Sequence, residues 1–126
     1  MNQSDIIQKI RQARSVWVEL GDGKKIQIIR PTQYQTFQKF FSQDSLGNPH
    51  FSVTFESTKD FIVSWDGFTE ADLLGPEIGS SDPIAYQPDF FEEYLFDKTE
   101  WMPMIVKALV QEIEKANTKK AENIKK

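Results

Sequence analysis

The chain carries one histidine, His50, and no cysteine. Disulfides, thiolate metal sites and cysteine nucleophiles are therefore excluded. A multi-histidine metal centre within one chain is excluded as well, and any Ser/His device would have to use His50. That residue follows a Gly47-Asn48-Pro49 loop and has no nucleophile beside it in sequence. Glu92-Glu93, with Asp97 and Glu100 nearby, could suggest acid/base carboxylates. Adjacent residues on a helix point apart, so this set reads as a solvated face. Asp66 to Asp72 has the look of a calcium loop, but Phe68 breaks the alternation of oxygen ligands and Gly67 falls too early. Gly21-Asp22-Gly23-Lys24-Lys25 resembles a phosphate loop, yet a strand pattern follows it where a helix is needed, so it reads as a hairpin turn. Lys9, Arg11, Arg14, Lys24, Lys25 and Arg30 form a basic set without interleaved aromatics, and nucleic acid is not an expected partner. The expectation is a protein that is not an enzyme, uses no cofactor and acts by binding.

At 126 residues the chain has the length of one domain, and its ten Phe and three Trp can build a core without staples. The net charge of -4 hides a split. Residues 1–55 are net +3, residues 56–114 net -11 and residues 115–126 net +4. An acidic middle favours a basic or apolar protein partner. No apolar run approaches the ~18 residues of a membrane span, and residues 1–14 lack the apolar core of a secretion signal. A soluble protein of a reducing cytoplasm is expected.

Positioning elements follow from period and punctuation. Ser4 can cap a first helix carrying Ile6, Ile7, Ile10 and Ala13 at helical spacing. Val16, Val18 and Leu20 alternate with Trp17 and Glu19, and Ile26 and Ile28 share a face of the return strand, which predicts a hairpin over 16–29. Pro31 ends it, and Thr32 to Gln35 has capping-box spacing for a helix over about 32–42 with Tyr34, Phe37, Phe40 and Phe41 on one face. Residues 44–49 read as a loop. Residues 50–65 are ambiguous: Phe51, Val53 and Phe55, then Phe61, Val63 and Trp65, alternate like strands, while Phe51, Phe55, Ile62 and Trp65 share a helical face. Residues 66–88 hold three Gly and three Pro and read as a loop with one helical turn after Thr69. Helices are predicted over about 89–97, opened by Pro88, and about 100–116, capped by Thr99, the latter presenting Trp101, Met104, Ile105, Ala108, Leu109 and Ile113 to the core. The fold class is α+β, a small, mainly helical domain over 1–114 with one N-terminal antiparallel hairpin. Residues 115–126 read as a basic flexible tail.

One arrangement is more specific. Val63-Ser64-Trp65-Asp66-Gly67-Phe68 is followed by a polar loop, then Pro83-Ile84-Ala85-Tyr86-Gln87-Pro88, an acidic helix with a Phe/Leu stripe, Glu100-Trp101 and a closing amphipathic helix. Upstream lie Asp22-Gly23-Lys24 in a strand pair and Arg30-Pro31-Thr32 opening a helix. In this order, over residues 16–113, the chain resembles the tail assembly chaperones of long-tailed bacteriophages and prophages. It departs from them in the long segment between Gly67 and Tyr86, and in Gln87, where Ser or Thr is usual.

The resemblance implies a non-enzymatic protein of the host cytoplasm. Such a protein binds the long, helical tape measure protein and keeps it soluble while the tail tube polymerises, with the tube protein as a further contact and an oligomer allowed. It favours helix for the segment before Trp65. Phe90, Phe91, Tyr94 and Leu95 are then the expected partner-binding residues, and Trp65, Asp66 and Gly67 a structural motif. It also implies a longer, frameshifted product, for which the codons of Lys119-Lys120 and Lys125-Lys126 are placed. The competing expectation is a small acidic interaction or inhibitor protein of a mobile element, toxin-neutralising or defence-blocking.

Overall fold

The computed structural model describes the backbone of residues 2–125 and side chains through residue 118. The chain is mixed α+β. Its first helix, α1 (Gln3–Ala13), is capped by Asn2, whose Oδ1 accepts the Asp5 amide at 2.8 Å. Ser4, the expected cap, lies inside the helix. Strands β1 (Ser15–Gly21) and β2 (Lys24–Ile29) form the predicted hairpin. The turn takes positive φ at Gly21, Asp22 and Gly23, which two glycines make cheap. Ile26 and Ile28 are fully buried, as their shared face requires.

Thr32 caps α2 (Gln33–Phe40) through a reciprocal capping box with Gln35. The helix is shorter than expected, because Phe41 turns extended and begins β3 (Phe41–Gln43). Strand β3 pairs antiparallel with β4 (Pro49–Phe51), and Asp44 closes the intervening turn by accepting the Leu46 and Asn48 amides at 2.9 Å.

The largest correction concerns the segment before Trp65. It is a short 3-10 helix over Glu56–Phe61 and then a strand, β5 (Ile62–Asp66), which adds to β2. The fold is therefore organised by a three-stranded antiparallel sheet of order β1-β2-β5, not by a lone hairpin among helices. The helical appearance has a definite cause. The β2–β5 register slips between Gln27 and Ile28, opposite Val63. This irregularity lets Ile62 and Trp65, three apart, both turn inward while Val63 faces out.

Residues 66–88 are ordered around a short helix, α3 (Glu70–Leu74), capped by Thr69 in a box with Asp72. The Ala71 and Glu70 amides donate to the carbonyls of Ser80 and Asp82, and the Ile84 amide donates to the Phe68 carbonyl. The acidic helix expected over 89–97 is α4 (Asp89–Glu93), broken at Tyr94 and continued as a 3-10 turn over Leu95–Asp97. The last helix, α5 (Met102–Lys125), starts two residues after the expected start at 100, with Thr99 and Glu100 in the preceding turn and not at its cap. Its backbone runs on past 116 through the segment expected as a tail. Of the end expected to be flexible, 115–126, the side chains from residue 119 on lie outside the described residues. Ile105, Leu109 and Ile113 bring α5 into the core with Ile26, Ile28, Phe61, Ile62, Trp65, Phe68, Phe91 and Leu95. No described helix is long and apolar enough to cross a membrane.

Candidate protein-binding surface

The four residues expected to meet a partner are mostly core. Phe91 and Leu95 are fully buried, Tyr94 is 9% exposed, and Phe90 is half-buried. Their spacing marks an inward face, which Phe55 and Phe96 close over Phe91 with ring centroids 4.8 and 5.2 Å away. What α4 shows to solvent is Asp89, Glu92 and Glu93, and Glu92 is held by Lys59 at 2.7 Å. The expectation of a docking stripe on this helix is overturned by burial.

Trp65 sits at the centre of an aromatic cluster. Its ring stacks between Phe68 at 4.1 Å and Phe90 at 5.4 Å, and Tyr86 and Tyr94 meet it edge-on. Its Nε1–H donates to the Ile84 carbonyl at 2.7 Å. Gly67 follows with φ +87°, and a Cβ there would run into the backbone carbonyl of Gly23 in the hairpin turn. Asp66 is exposed at the end of β5, paired in register with Lys25. These three residues join the sheet to the 66–88 segment.

Among the described residues no group of three or more His, Asp or Glu could hold a metal. His50 is exposed on β4 opposite Ser42. Burial pushes the Tyr86 phenol up to about 12, and burial, then Asp72 and Glu100, raises Tyr94, so both stay protonated. Asp72 is partly buried, which disfavours its charge, but amide and hydroxyl hydrogen bonds from Thr69 and the Lys24 ammonium at 3.4 Å hold its carboxyl below the usual value. Each of these perturbed groups is explained by its packing role.

The exposed aromatic surface lies elsewhere, on α2 and the β3–β4 hairpin. Tyr34 and Phe37 are each 68% exposed, and Phe41 and Phe51 are also open to solvent. Phe37 stacks on Phe41 at 6.4 Å, and Phe41 meets Phe51 at 5.2 Å, so the rings form one patch. Beneath them Phe40 is buried and touches both Phe51 and Phe61, tying the patch to the core. A groove of about 280 Å³ opens here, lined by Phe37, Phe41, Ser42, Gln43 and Pro49. Leu46 projects from the adjoining turn.

The local cause is the early end of α2. Tyr34 and Phe37 lie on the outer side of α2 and Phe41 continues the exposed row at the start of β3, while Thr36 and Phe40 turn inward. The hydroxyl of Thr36 bonds back to the Thr32 carbonyl at 2.9 Å, so that buried polar group is satisfied within the helix. Large aromatic rings left in water next to a groove are the usual mark of a protein contact. The signal was present in the spacing of Tyr34, Phe37, Phe40 and Phe41, but spacing alone does not say which of two adjacent aromatic positions faces in. No family model, curated protein or solved structure matches this chain.

Proposed function

We propose that this protein is a non-enzymatic binding module, a tail assembly chaperone of a long-tailed phage or prophage, acting in the host cytoplasm. In this reading it engages apolar stripes on the helical tape measure protein through the aromatic face formed by Tyr34, Phe37, Phe41 and Phe51. The exposure of that face is the single observation that carries the reading. A groove flanked by aromatic rings suits the side chains of an amphipathic helix laid across it. One such contact is small and weak. Many copies along a long helix mask it by avidity, each remaining free to leave as tube subunits arrive.

The order of the Trp65-Asp66-Gly67 element, the ordered 66–88 segment and two closing helices supports the same reading. Co-expression with the tape measure protein tests it. The soluble yield of that partner rises in the presence of this chain. An unchanged yield, for the full-length partner and for its fragments, overturns the reading.

A further inference from the structure

The aromatic face is not the only apolar surface left open. Helix α1 buries none of its residues. Ile6, Ile7 and Ile10 are 45–59% exposed and lie along one side of it. Isoleucine is a middling helix former, and an isolated helix of eleven residues is marginal in water. Three isoleucines at this spacing suit a helix that is covered when the protein is at work.

The helix is anchored firmly at its C-terminal end. The Arg30 amide donates to the Arg14 carbonyl at 2.8 Å, the Arg14 guanidinium returns a bond to the Arg30 carbonyl at 3.0 Å, and Ser15 Oγ donates to the Arg11 carbonyl at 2.8 Å. The stripe is thus presented at a fixed place beside the sheet.

Its rim is basic and uncompensated. Lys9 lies on one flank, and Arg11 and Arg14 lie on the other, next to Arg30. Among the described residues none of these four forms an ion pair with a carboxylate. Arg30 spends a guanidinium N–H on the neighbouring Pro31 carbonyl, and the buried Nε of Arg14 has no hydrogen-bond partner. Desolvation, then the charges of Arg30 and Arg11, holds the Arg14 guanidinium below its usual pKa. A carboxylate brought to this rim would relieve that repulsion and pair with the exposed Arg11 guanidinium.

We propose that α1 is a second docking surface, specific for an amphipathic helix of another protein whose apolar stripe is flanked by Glu or Asp. The apolar stripe supplies contact area, and the arginine rim supplies orientation and choice of partner. A lipid surface is the lesser fit. Helices that lie on anionic membranes carry Lys and Arg across the polar face, whereas the outer face of α1 is Asp5, Gln8 and Gln12 beside Lys9.

The test is a titration of the isotope-labelled full chain, followed by amide NMR shifts, with three probes. Two are synthetic helical peptides with the same leucine stripe, flanked by Glu in one and by Lys in the other. The third is a phosphatidylglycerol vesicle. The Glu-flanked peptide is expected to shift amides of residues 3–15 and to bind about tenfold or more tighter than the Lys-flanked one, an advantage that shrinks with added salt. Arg11→Glu should remove that preference, and Ile7→Asp should remove binding. Neither should lower the melting temperature of the body, since both side chains are exposed. Equal affinity for the two peptides, binding to neither, shifts confined to other segments, or binding to vesicles alone would each overturn the proposal.

Discussion

The indole N–H of Trp65 reaches nineteen positions along the chain to the carbonyl of Ile84, at 2.7 Å. This bond clamps the far arm of the 66–88 segment onto β5. The ring that makes it is also the middle of the Phe68–Trp65–Phe90 stack, so one side chain joins the sheet, the segment and α4. Trp65→Phe keeps much of the stack and leaves the Ile84 carbonyl without its donor. A loss of about 1–3 kcal/mol is expected in urea denaturation, the cost of an orphaned, part-buried acceptor plus some packing. Trp65→Ala should cost more, about 3–5 kcal/mol. A Phe variant as stable as the parent would show that the bond contributes nothing.

Two glycines with similar backbone angles separate strain from space. Gly67 (φ +87°) and Gly47 (φ +81°) both sit in the left-handed region. At Gly47 a Cβ meets open space, whereas at Gly67 it meets the backbone of Gly23 and Lys24. Gly47→Ala should cost only the dihedral penalty, about 1–2 kcal/mol. Gly67→Ala should cost that plus the displacement of the hairpin turn, about 3 kcal/mol or more. Thermal melts of the two variants side by side check the order.

Acid should weaken the 66–88 segment through Asp72. Its carboxyl pKa lies below the ordinary 3.8 in the folded protein, so the unfolded chain takes up the proton first. The sign follows directly: the contribution is fully present above the unfolded value and is lost as pH falls through the folded one. Asp72→Asn should flatten the acid limb of a stability–pH profile below about pH 4, since it removes the titrating group. An unchanged limb would assign acid sensitivity to other carboxylates. Thr69→Ala, which removes the reciprocal cap, should cost about 1 kcal/mol at neutral pH.

Much of the local structure was legible because single elements announced themselves. The hairpin had both alternation and a Gly-Asp-Gly turn, and the caps of α2 and α3 were written as Thr32 with Gln35 and a turn after Thr69. Strand β5 was hidden because its register slip opposite Val63 puts Ile62 and Trp65 three apart on one face, which imitates a helix. The end of α2 at Phe40 was hidden because Phe41 continues the helical stripe while its backbone has already turned extended.

The α4 stripe was ambiguous for a different reason. An apolar stripe on an acidic helix looks the same in sequence whether it faces a partner or the core. Phe91 and Leu95 face the core, where Phe55, just before the 3-10 segment, covers the Phe91 ring, a contact set by tertiary structure alone. Phe37 and Phe41 stay exposed, with Phe41 paired to Phe51 across the β3–β4 hairpin.

The central claim is that the aromatic face of α2 and β3–β4 is the partner surface, and one co-expression measurement tests it most directly. The tape measure protein is produced alone, with the parent chain, with Phe37→Ser/Phe41→Ser, and with Leu74→Ser/Ile78→Ser. The last variant removes two exposed apolar side chains from the 66–88 segment as a control. The parent and the control should raise the soluble yield alike, and the Phe37/Phe41 variant should not, although it remains folded with an unchanged far-ultraviolet spectrum. A Phe37/Phe41 variant that solubilises the partner as well as the parent does would contradict that claim.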